Sequence, residues 1–127
     1  MILTEQEVER YARQIVMPEI GEAGQKKLLD AKVLILGAGG LGAPVIAGLA
    51  GAGVGHLTVV DDDVVELTNL NRQIIHSVDR LAMNKAESAA LFSRSLNPEV
   101  QVHRETGRFD EKNAGTLVGS HDLVVDC

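Results

Sequence analysis

Residues 37–42 form a glycine-rich turn with the spacing Gly-x-Gly-x-x-Gly. The turn follows the apolar run Val33–Leu36 and precedes a helical stretch, and in that context the spacing is typical of a nucleotide-binding turn. Gly37 permits the tight turn, Gly39 lets a phosphate reach the backbone, and Gly42 lets helix and sheet pack closely. The helix N-terminus offers N–H groups and partial positive charge to an anion. The turn predicts a phosphate site, the alternative being glycines that serve close packing only.

Three adjacent carboxylates, residues 61–63, follow the predicted strand Leu57–Val60. Asp61 comes about twenty residues after the glycine turn, where an acid at the end of the second strand binds ribose hydroxyls in dinucleotide-binding folds. Adjacent carboxylates repel each other, so a cation or hydroxyl groups are expected nearby, or part of the cluster points to water. Asp62 is interpreted as a solvated residue, and Asp61 is predicted to bind ribose.

The connection over residues 64–84 contains no clear helix or strand, and loops of that length usually carry function. It holds the donor-rich run Asn69–Gln73, in which Arg72 has the planar fork of N–H groups that suits phosphate oxygens. Lys85 begins the next predicted helix, where a cation opposes the helix dipole at a cost of about 0.3–1 kcal/mol. That placement becomes favourable beside an anion, and the alternative is a solvent-facing lysine.

The composition limits the partners of this chain. It has 127 residues, 45% hydrophobic and 2% aromatic, with a formal charge of −6. The length suits one domain, the charge disfavours nucleic acid and anionic membranes, and the scarcity of aromatic rings disfavours stacking on single strands. The lone cysteine, Cys127, and four scattered histidines predict neither a disulfide nor a metal site. No signal-peptide pattern or membrane-spanning run is visible, so we expect a cytoplasmic protein.

The elements that position these residues alternate between strand and helix. Residues 4–30 are predicted to form two short helices separated by Pro18 and Gly21, and Thr4 and Glu7 have the spacing of a capping box. The remaining prediction is of strands at 33–36, 57–60, 100–103 and 123–125 and helices at about 41–52, 85–96 and 111–118. This order predicts an α/β, Rossmann-like fold with a mostly parallel sheet and helices on both faces. We expect one domain, 1–127, that opens with a helical segment, 1–31.

Two classes of enzyme use such a turn. A dehydrogenase would place the pyrophosphate of NAD there and Asp61 on the adenosine ribose. An enzyme that consumes ATP would need several cations around the triphosphate, and Arg72 and Lys85 could supply them. Hydride transfer gives these two residues no evident role. The residues alone therefore favour ATP modestly and leave an NAD-dependent oxidoreductase open.

Taken together, the motifs resemble those of the ubiquitin-activating-enzyme superfamily, in particular the bacterial sulfur-carrier adenylyltransferases of thiamine and molybdopterin biosynthesis. The resemblance runs over essentially the whole chain. It is carried by the segments Arg10–Ile15, Gly37–Gly42, Gly53–Gly55, Asp61–Asp63 and Asn69–Gln73 and by Lys85.

The resemblance implies ATP- and Mg²⁺-dependent adenylation of the C-terminal glycine carboxylate of a small ubiquitin-like sulfur-carrier protein. By that likeness Gly40 approaches the phosphates, and Asp61 holds the ribose. The segment Thr68–Arg72 lines the nucleotide. The residues so assigned are Gly37, Gly39, Gly40, Asp61, Thr68, Asn69, Arg72 and Lys85, with Arg72 and Lys85 on the phosphates.

Arg13 matches the family arginine that enters the partner's active site, which implies a homodimer. The family sequence also continues beyond Cys127 into a Thr-Asp-Asn segment with the magnesium-binding aspartate, and the zinc cysteines lie further along. We therefore expect an N-terminal portion that lacks the C-terminal part of the fold and does not catalyse adenylation alone. The alternatives are an NAD-dependent oxidoreductase domain and a truncated nucleotide-binding domain without activity.

Overall fold

A computed structural model of the chain describes residues 3–127. Four strands form one sheet in the order β3-β2-β1-β4, and all three neighbouring pairs are parallel. Their bounds are β1 (Lys32–Leu36), β2 (His56–Val60), β3 (Gln101–Glu105) and β4 (Leu123–Asp126). Because β1 lies inside the sheet and is covered on both sides, Val33, Leu34 and Ile35 are all buried. The predicted Rossmann-like α/β fold is confirmed.

Six α-helices accompany the sheet in the described part of the chain. They are α1 (Glu5–Arg10), α2 (Ala12–Ile15), α3 (Gly21–Asp30), α4 (Gly42–Ala52), α5 (Lys85–Leu96) and α6 (Ala114–Gly119). Within residues 3–127, no helix has both the length and the apolar character needed to cross a membrane.

Small aliphatic side chains fill the space between one face of the sheet and the helices α4 and α5. The buried members of this core include Val33, Ile35, Leu57, Val59, Ile46, Ala50, Ala86 and Ala89. On the opposite face, the Oγ1 of Thr58 lies 2.7 Å from Nε2 of His121, which follows α6. Since Thr58 alternates with Leu57 and Val59 along β2, α6 lies on the other side of the sheet. Helices thus cover both faces, as predicted.

The N-terminal segment differs from its prediction, because it forms three helices rather than two. The capping box is confirmed: Thr4 and Glu7 bond each other's backbone N–H groups. Tyr11 leaves the helical conformation between α1 and α2, and its side chain is only 1% exposed. Its phenol oxygen accepts a hydrogen bond from Asn97, so a long-range contact decides where α1 ends.

Two other predicted elements have one end that differs from the prediction by more than one residue. The last helix begins at Ala114 rather than residue 111, because the carboxylate of Asp110 accepts the N–H groups of Lys112 and Asn113 and holds them in a turn. Strand β3 continues to Glu105 instead of ending at residue 103, because Glu105 still pairs with Val60 in the register of the sheet. The helix predicted at 85–96 is confirmed at both ends.

Candidate nucleotide-binding site

The glycine turn lies between the carboxyl end of β1 and the start of α4. Gly37 has a φ of +106°, a conformation that L side chains rarely adopt. A Cβ on Gly42 would lie 2.0 Å from the carbonyl oxygen of Gly37, so any side chain there would push the helix away from the turn. These two glycines allow α4 to begin directly at the end of the strand.

Several backbone N–H groups at this turn donate no hydrogen bond within the described residues, and we call them open donors. Within residues 3–127, the N–H groups of Gly39, Gly40 and Leu41 donate no hydrogen bond, whereas the Gly39 carbonyl accepts one from Ala43. Consecutive open donors at the positive end of a helix form the kind of concavity that binds anions. The geometry of the turn therefore suits a phosphate.

Asp61 lies at the end of β2 and supports the same turn. Its Oδ2 accepts the N–H of Ala38 at 2.8 Å, and its Oδ1 accepts the N–H of Asp63 at 2.8 Å. Each oxygen of a carboxylate has a second lone pair, so Asp61 can still accept from a hydroxyl. Asp62, interpreted as solvated, is exposed and lies 3.7 Å from the exposed guanidinium of Arg108.

Lys85 is not a solvent-facing lysine, because the residue is only 7% exposed. Its Nζ lies 3.3 Å from Oδ2 of Asp63, whose side chain is largely in solvent. A hydrogen bond from the N–H of Val64 and the charge of Lys85 lower the pKa of the Asp63 carboxyl. The ammonium has three donors and this one long contact among the described residues, so it has donors left for an anion.

The side chain of Arg72 lies beside Gly40 in the glycine turn. Its Cδ and Nε are 3.8 Å from the point where a Cβ on Gly40 would lie. One guanidinium nitrogen, Nη1, donates to the carbonyl of Thr68 and to Oδ1 of Asn71. The exposed side chain is therefore held above Gly40, with the other nitrogens turned to no acceptor in the described chain.

Two further residues assigned to the nucleotide have different surroundings. Thr68 is exposed, and its carbonyl helps to hold Arg72. Asn69 is buried, and its Oδ1 accepts the backbone N–H of Glu66 at 2.9 Å. In the structure Asn69 shapes the loop, and contact of either residue with a nucleotide stays a prediction.

A crevice of about 240 Å³ opens beside Asp61, at the carboxyl ends of β1 and β2. Its lining residues are Leu36, Gly37, Val60, Asp61, Asp62, Gly107, Arg108 and Phe109. Ligands of open parallel sheets bind at this edge. The crevice therefore offers a nucleoside a place next to the predicted ribose ligand.

Two buried residues of the loop were not assigned to the site by sequence. The side chain of Gln73 lies against Gly39, with Nε2 3.6 Å from the position of a Cβ there. Its Oε1 has no hydrogen-bond partner among the described residues. His76 is also buried and binds the carbonyl of Ala38. Gln73 ends the donor-rich run Asn69–Gln73, which could have indicated it, whereas a single histidine in an irregular loop has no periodicity, so only the folded loop could identify His76.

Arg13 lies away from this site. It is exposed on α2, and the next residue, Gln14, donates to the carbonyl of Ala52 at the C-terminal end of α4. The glycine turn is at the other end of that helix, about 16 Å away for 11 residues. Arg13 therefore contributes nothing to the site of its own chain.

Within residues 3–127, no three His, Cys, Asp or Glu side chains are grouped so that they could hold a metal ion. Burial and the neighbouring charge of Asp126 raise the pKa of the Cys127 thiol. A raised pKa disfavours the thiolate form of the Cys127 side chain.

Known proteins are similar to this chain in sequence and in fold. The family model described as the ThiF family matches residues 11–127. The SAMP-activating enzyme E1 of Haloferax volcanii is 52% identical over 120 residues, which cover 94% of this chain and 44% of that protein. The adenylyltransferase and sulfurtransferase uba4 of Pyricularia oryzae is 47% identical over 125 residues, which cover 98% of this chain and 26% of that protein.

Among solved structures, the tRNA N6-threonylcarbamoyladenosine dehydratase TcdA of E. coli, crystallised with ATP, superposes with a TM-score of 0.90 at 28% identity. The match covers 100% of this chain and 52% of that one. The chain thus spans less than half the length of the two curated relatives and about half of TcdA.

Proposed function

Because the chain belongs to the ThiF family, we propose that it supplies the nucleotide site of an enzyme that adenylates the C-terminal glycine carboxylate of a small ubiquitin-like sulfur carrier. One observation carries the proposal. The open N–H groups of the glycine turn lie at the same edge of the sheet as Asp61, Arg72 and Lys85. The names of the relatives, an E1 that activates SAMP and an adenylyltransferase, support the same reaction class.

In this proposal each group has one task. The N–H groups of Gly39 and Gly40 donate to phosphate oxygens, and Asp61 accepts a ribose hydroxyl in the crevice beside it. Lys85 and Arg72 neutralise the triphosphate. Lys85 acts from a buried position, where its charge is weakly screened by water, and Arg72 acts from the exposed rim.

The proposed reaction needs no nucleophile from this chain. A carboxylate oxygen of the carrier attacks the α-phosphorus of ATP, a carboxyl–phosphate bond forms, and the bond to the β,γ-pyrophosphate breaks. The fixed donors act on negative charge that shifts toward the leaving pyrophosphate, so rate comes from positioning and charge stabilisation.

We propose that Mg²⁺ binds together with the triphosphate, because phosphate oxygens are ligands that Mg²⁺ prefers. We also propose that residues 1–127 form the N-terminal domain and that Arg13 completes the site of a second copy in a homodimer. The exposed position of Arg13, remote from its own glycine turn, supports that arrangement.

Pyrophosphate exchange tests the reaction. The intact enzyme, given ATP, Mg²⁺ and a carrier ending in Gly-Gly, is expected to incorporate labelled pyrophosphate into ATP, and a carrier lacking the last glycine is expected not to support it. Comparing thiamine and molybdopterin carriers identifies the pathway. No exchange with any Gly-Gly carrier would refute the proposal.

Two variants and one binding measurement sharpen that test. We expect Arg72→Ala to abolish exchange while ATP still binds, and Arg94→Ala, an exposed arginine on α5, to leave exchange unchanged. Calorimetry with NAD and with Mg·ATP separates the two nucleotide classes. Tighter binding of NAD would favour an oxidoreductase and overturn the proposal.

A further inference from the structure

A chain of buried hydrogen bonds supports the glycine turn from below. Nε2 of His76 lies 2.8 Å from the carbonyl oxygen of Ala38, and Nδ1 lies 2.7 Å from Oγ of Ser88. The Oγ of Ser88 also accepts from Nε of Arg80 at 2.8 Å. His76 is 6% exposed and Ser88 is 0% exposed, so water does not compete for these bonds.

The chemistry of the partners determines the tautomer of the ring. A carbonyl oxygen only accepts, so Nε2 of His76 carries a hydrogen and donates it to Ala38. Nδ1 of the neutral ring then accepts from the hydroxyl of Ser88, whose lone pairs take the N–H of Arg80. Each donor in this series has an acceptor.

The bond to Ala38 determines the direction of an open donor. The carbonyl of Ala38 and the N–H of Gly39 belong to one planar trans peptide, so they point in opposite directions. The preceding peptide is also held, because the N–H of Ala38 donates to Asp61. With its carbonyl directed down to His76, the peptide directs the Gly39 N–H away from the core and toward the phosphate position.

We infer that His76 is a positioning residue of the nucleotide site, which orients the Ala38–Gly39 peptide so that its N–H can donate to a bound phosphate. The inference rests on the proposed function, since it assigns a further residue to the same site. The ring is kept neutral by its surroundings. Burial lowers the pKa of His76, the charges of Lys85 and Arg80 lower it further, and the Ala38 bond and Asp61 oppose them.

The test measures the dissociation constant of Mg·ATP for the intact enzyme and three variants. His76→Leu removes the donor and is expected to weaken binding about tenfold. His76→Gln keeps an N–H that can reach the carbonyl of Ala38 and is expected to restore binding to within about twofold. His103→Leu, an exposed histidine on β3, is the matched control and is expected to leave binding unchanged.

A second measurement does not depend on the leucine variant folding. Nitrogen NMR of the histidine rings is expected to show His76 as the neutral Nε2–H tautomer. Ser88→Ala is expected to keep that tautomer, because the carbonyl of Ala38 still requires a donor, and to weaken ATP binding a few-fold, because the ring loses its second hydrogen bond. Unchanged affinity in folded His76→Leu, or an Nδ1–H tautomer in the wild type, would overturn the inference. Absence of ATP binding in the wild type would instead refute the proposed function.

Discussion

The two ends of helix α4 are built in opposite ways. At the N-terminal end, N–H groups of the glycine turn donate to nothing in the described chain. At the C-terminal end, the carbonyl of Ala52 accepts from the side chains of Gln14 and Gln25, and the carbonyl of Ala50 accepts from Asn97 and from the N–H of Gly53. Every helix leaves unpaired groups at both ends. In α4 the carbonyls of Leu49, Ala50 and Ala52 have partners at the C-terminal end, whereas the N–H groups of residues 39–41 have none within residues 3–127.

The difference between the two ends of α4 indicates that one end contributes to the stability of the fold and the other to ligand binding. The closed end is covered by residues 11–25, and a Cβ on Gly53 would lie 2.5 Å from the ring of Tyr11, so only glycine fits there. The open end is surrounded by residues that hold the turn's shape, such as Asp61, while its donors face outward. We expect changes at the closed end to alter the free energy of unfolding, and changes at the open end to alter ATP affinity.

The largest expected effect comes from Gly42→Ala. Its Cβ would meet the carbonyl oxygen of Gly37 at 2.0 Å, so the start of α4 must move and the open donors move with it. We expect a loss of about 3 kcal/mol in the free energy of unfolding together with loss of ATP binding. Chemical denaturation and calorimetry measure the two.

Gly48→Ala is the matched control for that change. It lies in the same helix with nothing within 4 Å of the new Cβ. We expect it to stabilise the protein by about 0.5–1 kcal/mol and to leave ATP binding intact. Equal effects of the two substitutions would show that the close approach at Gly42 is not what the turn requires.

Lys85→Met is expected to weaken ATP binding about a hundredfold, because a buried ammonium that is only partly paired is lost from the site. The free energy of unfolding is expected to stay the same or rise, since an apolar side chain of similar length replaces a buried charge. Lys26→Met removes an exposed lysine of α3 and is expected to change neither quantity. A large loss in the free energy of unfolding of Lys85→Met would show that Lys85 stabilises the fold and would contradict its assignment to ATP binding.

Asn97→Ala tests the closed end. It removes a fully buried amide that donates to the Tyr11 hydroxyl at 2.8 Å and to the Ala50 carbonyl at 2.9 Å. We expect a loss of about 2 kcal/mol in the free energy of unfolding and an unchanged affinity for ATP. Tyr11→Phe removes only one of these partners and is expected to cost about 1 kcal/mol. If ATP affinity fell in parallel with stability, the two ends would not be separable.

The smallest effect concerns pH. Because burial lowers the pKa of His76, the unfolded chain takes up a proton that the folded chain resists. The free energy of unfolding therefore falls as the pH drops through the ordinary histidine range, from about 7.5 to about 5.5. We expect denaturant titrations to show a weaker pH dependence in His76→Gln and the wild-type dependence in His103→Gln. The carboxyls with lowered pKa, Asp63 and Asp79, contribute only at more acidic pH.

Much of the fold could be predicted because local signals agreed with the tertiary structure. The run Val33–Leu36 has the apolar pattern of a buried strand. The helix Lys85–Leu96 begins after Asn84, whose side chain caps it. The prediction failed where a distant partner decides the outcome. Tyr11 interrupts a helical segment because its side chain is buried beside Asn97, and that contact spans 86 positions of sequence.

The candidate site also contains some residues that local spacing could predict and others that only tertiary contacts reveal. Spacing after a strand was enough to predict a phosphate at the glycine turn and a ribose at Asp61, since those residue types at those positions serve a general backbone geometry. Burial of Lys85 could not be predicted, because a lysine at the start of a helix is exposed or enclosed according to how the preceding loop folds over it. For the same reason the sequence indicated no separate role for Gln73 within the donor-rich run Asn69–Gln73, and it did not indicate His76 at all.

By itself, the sequence determined the order of strands and helices, the parallel Rossmann-like sheet and the place where a phosphate is expected. These features depend on residue type and on short periodic spacing, which act locally along the chain. Tertiary structure alone decided which donors stay open, which cation is buried and which histidine holds the turn. Those properties depend on contacts between segments far apart in sequence, such as the 38 positions between Ala38 and His76, and no local pattern encodes them.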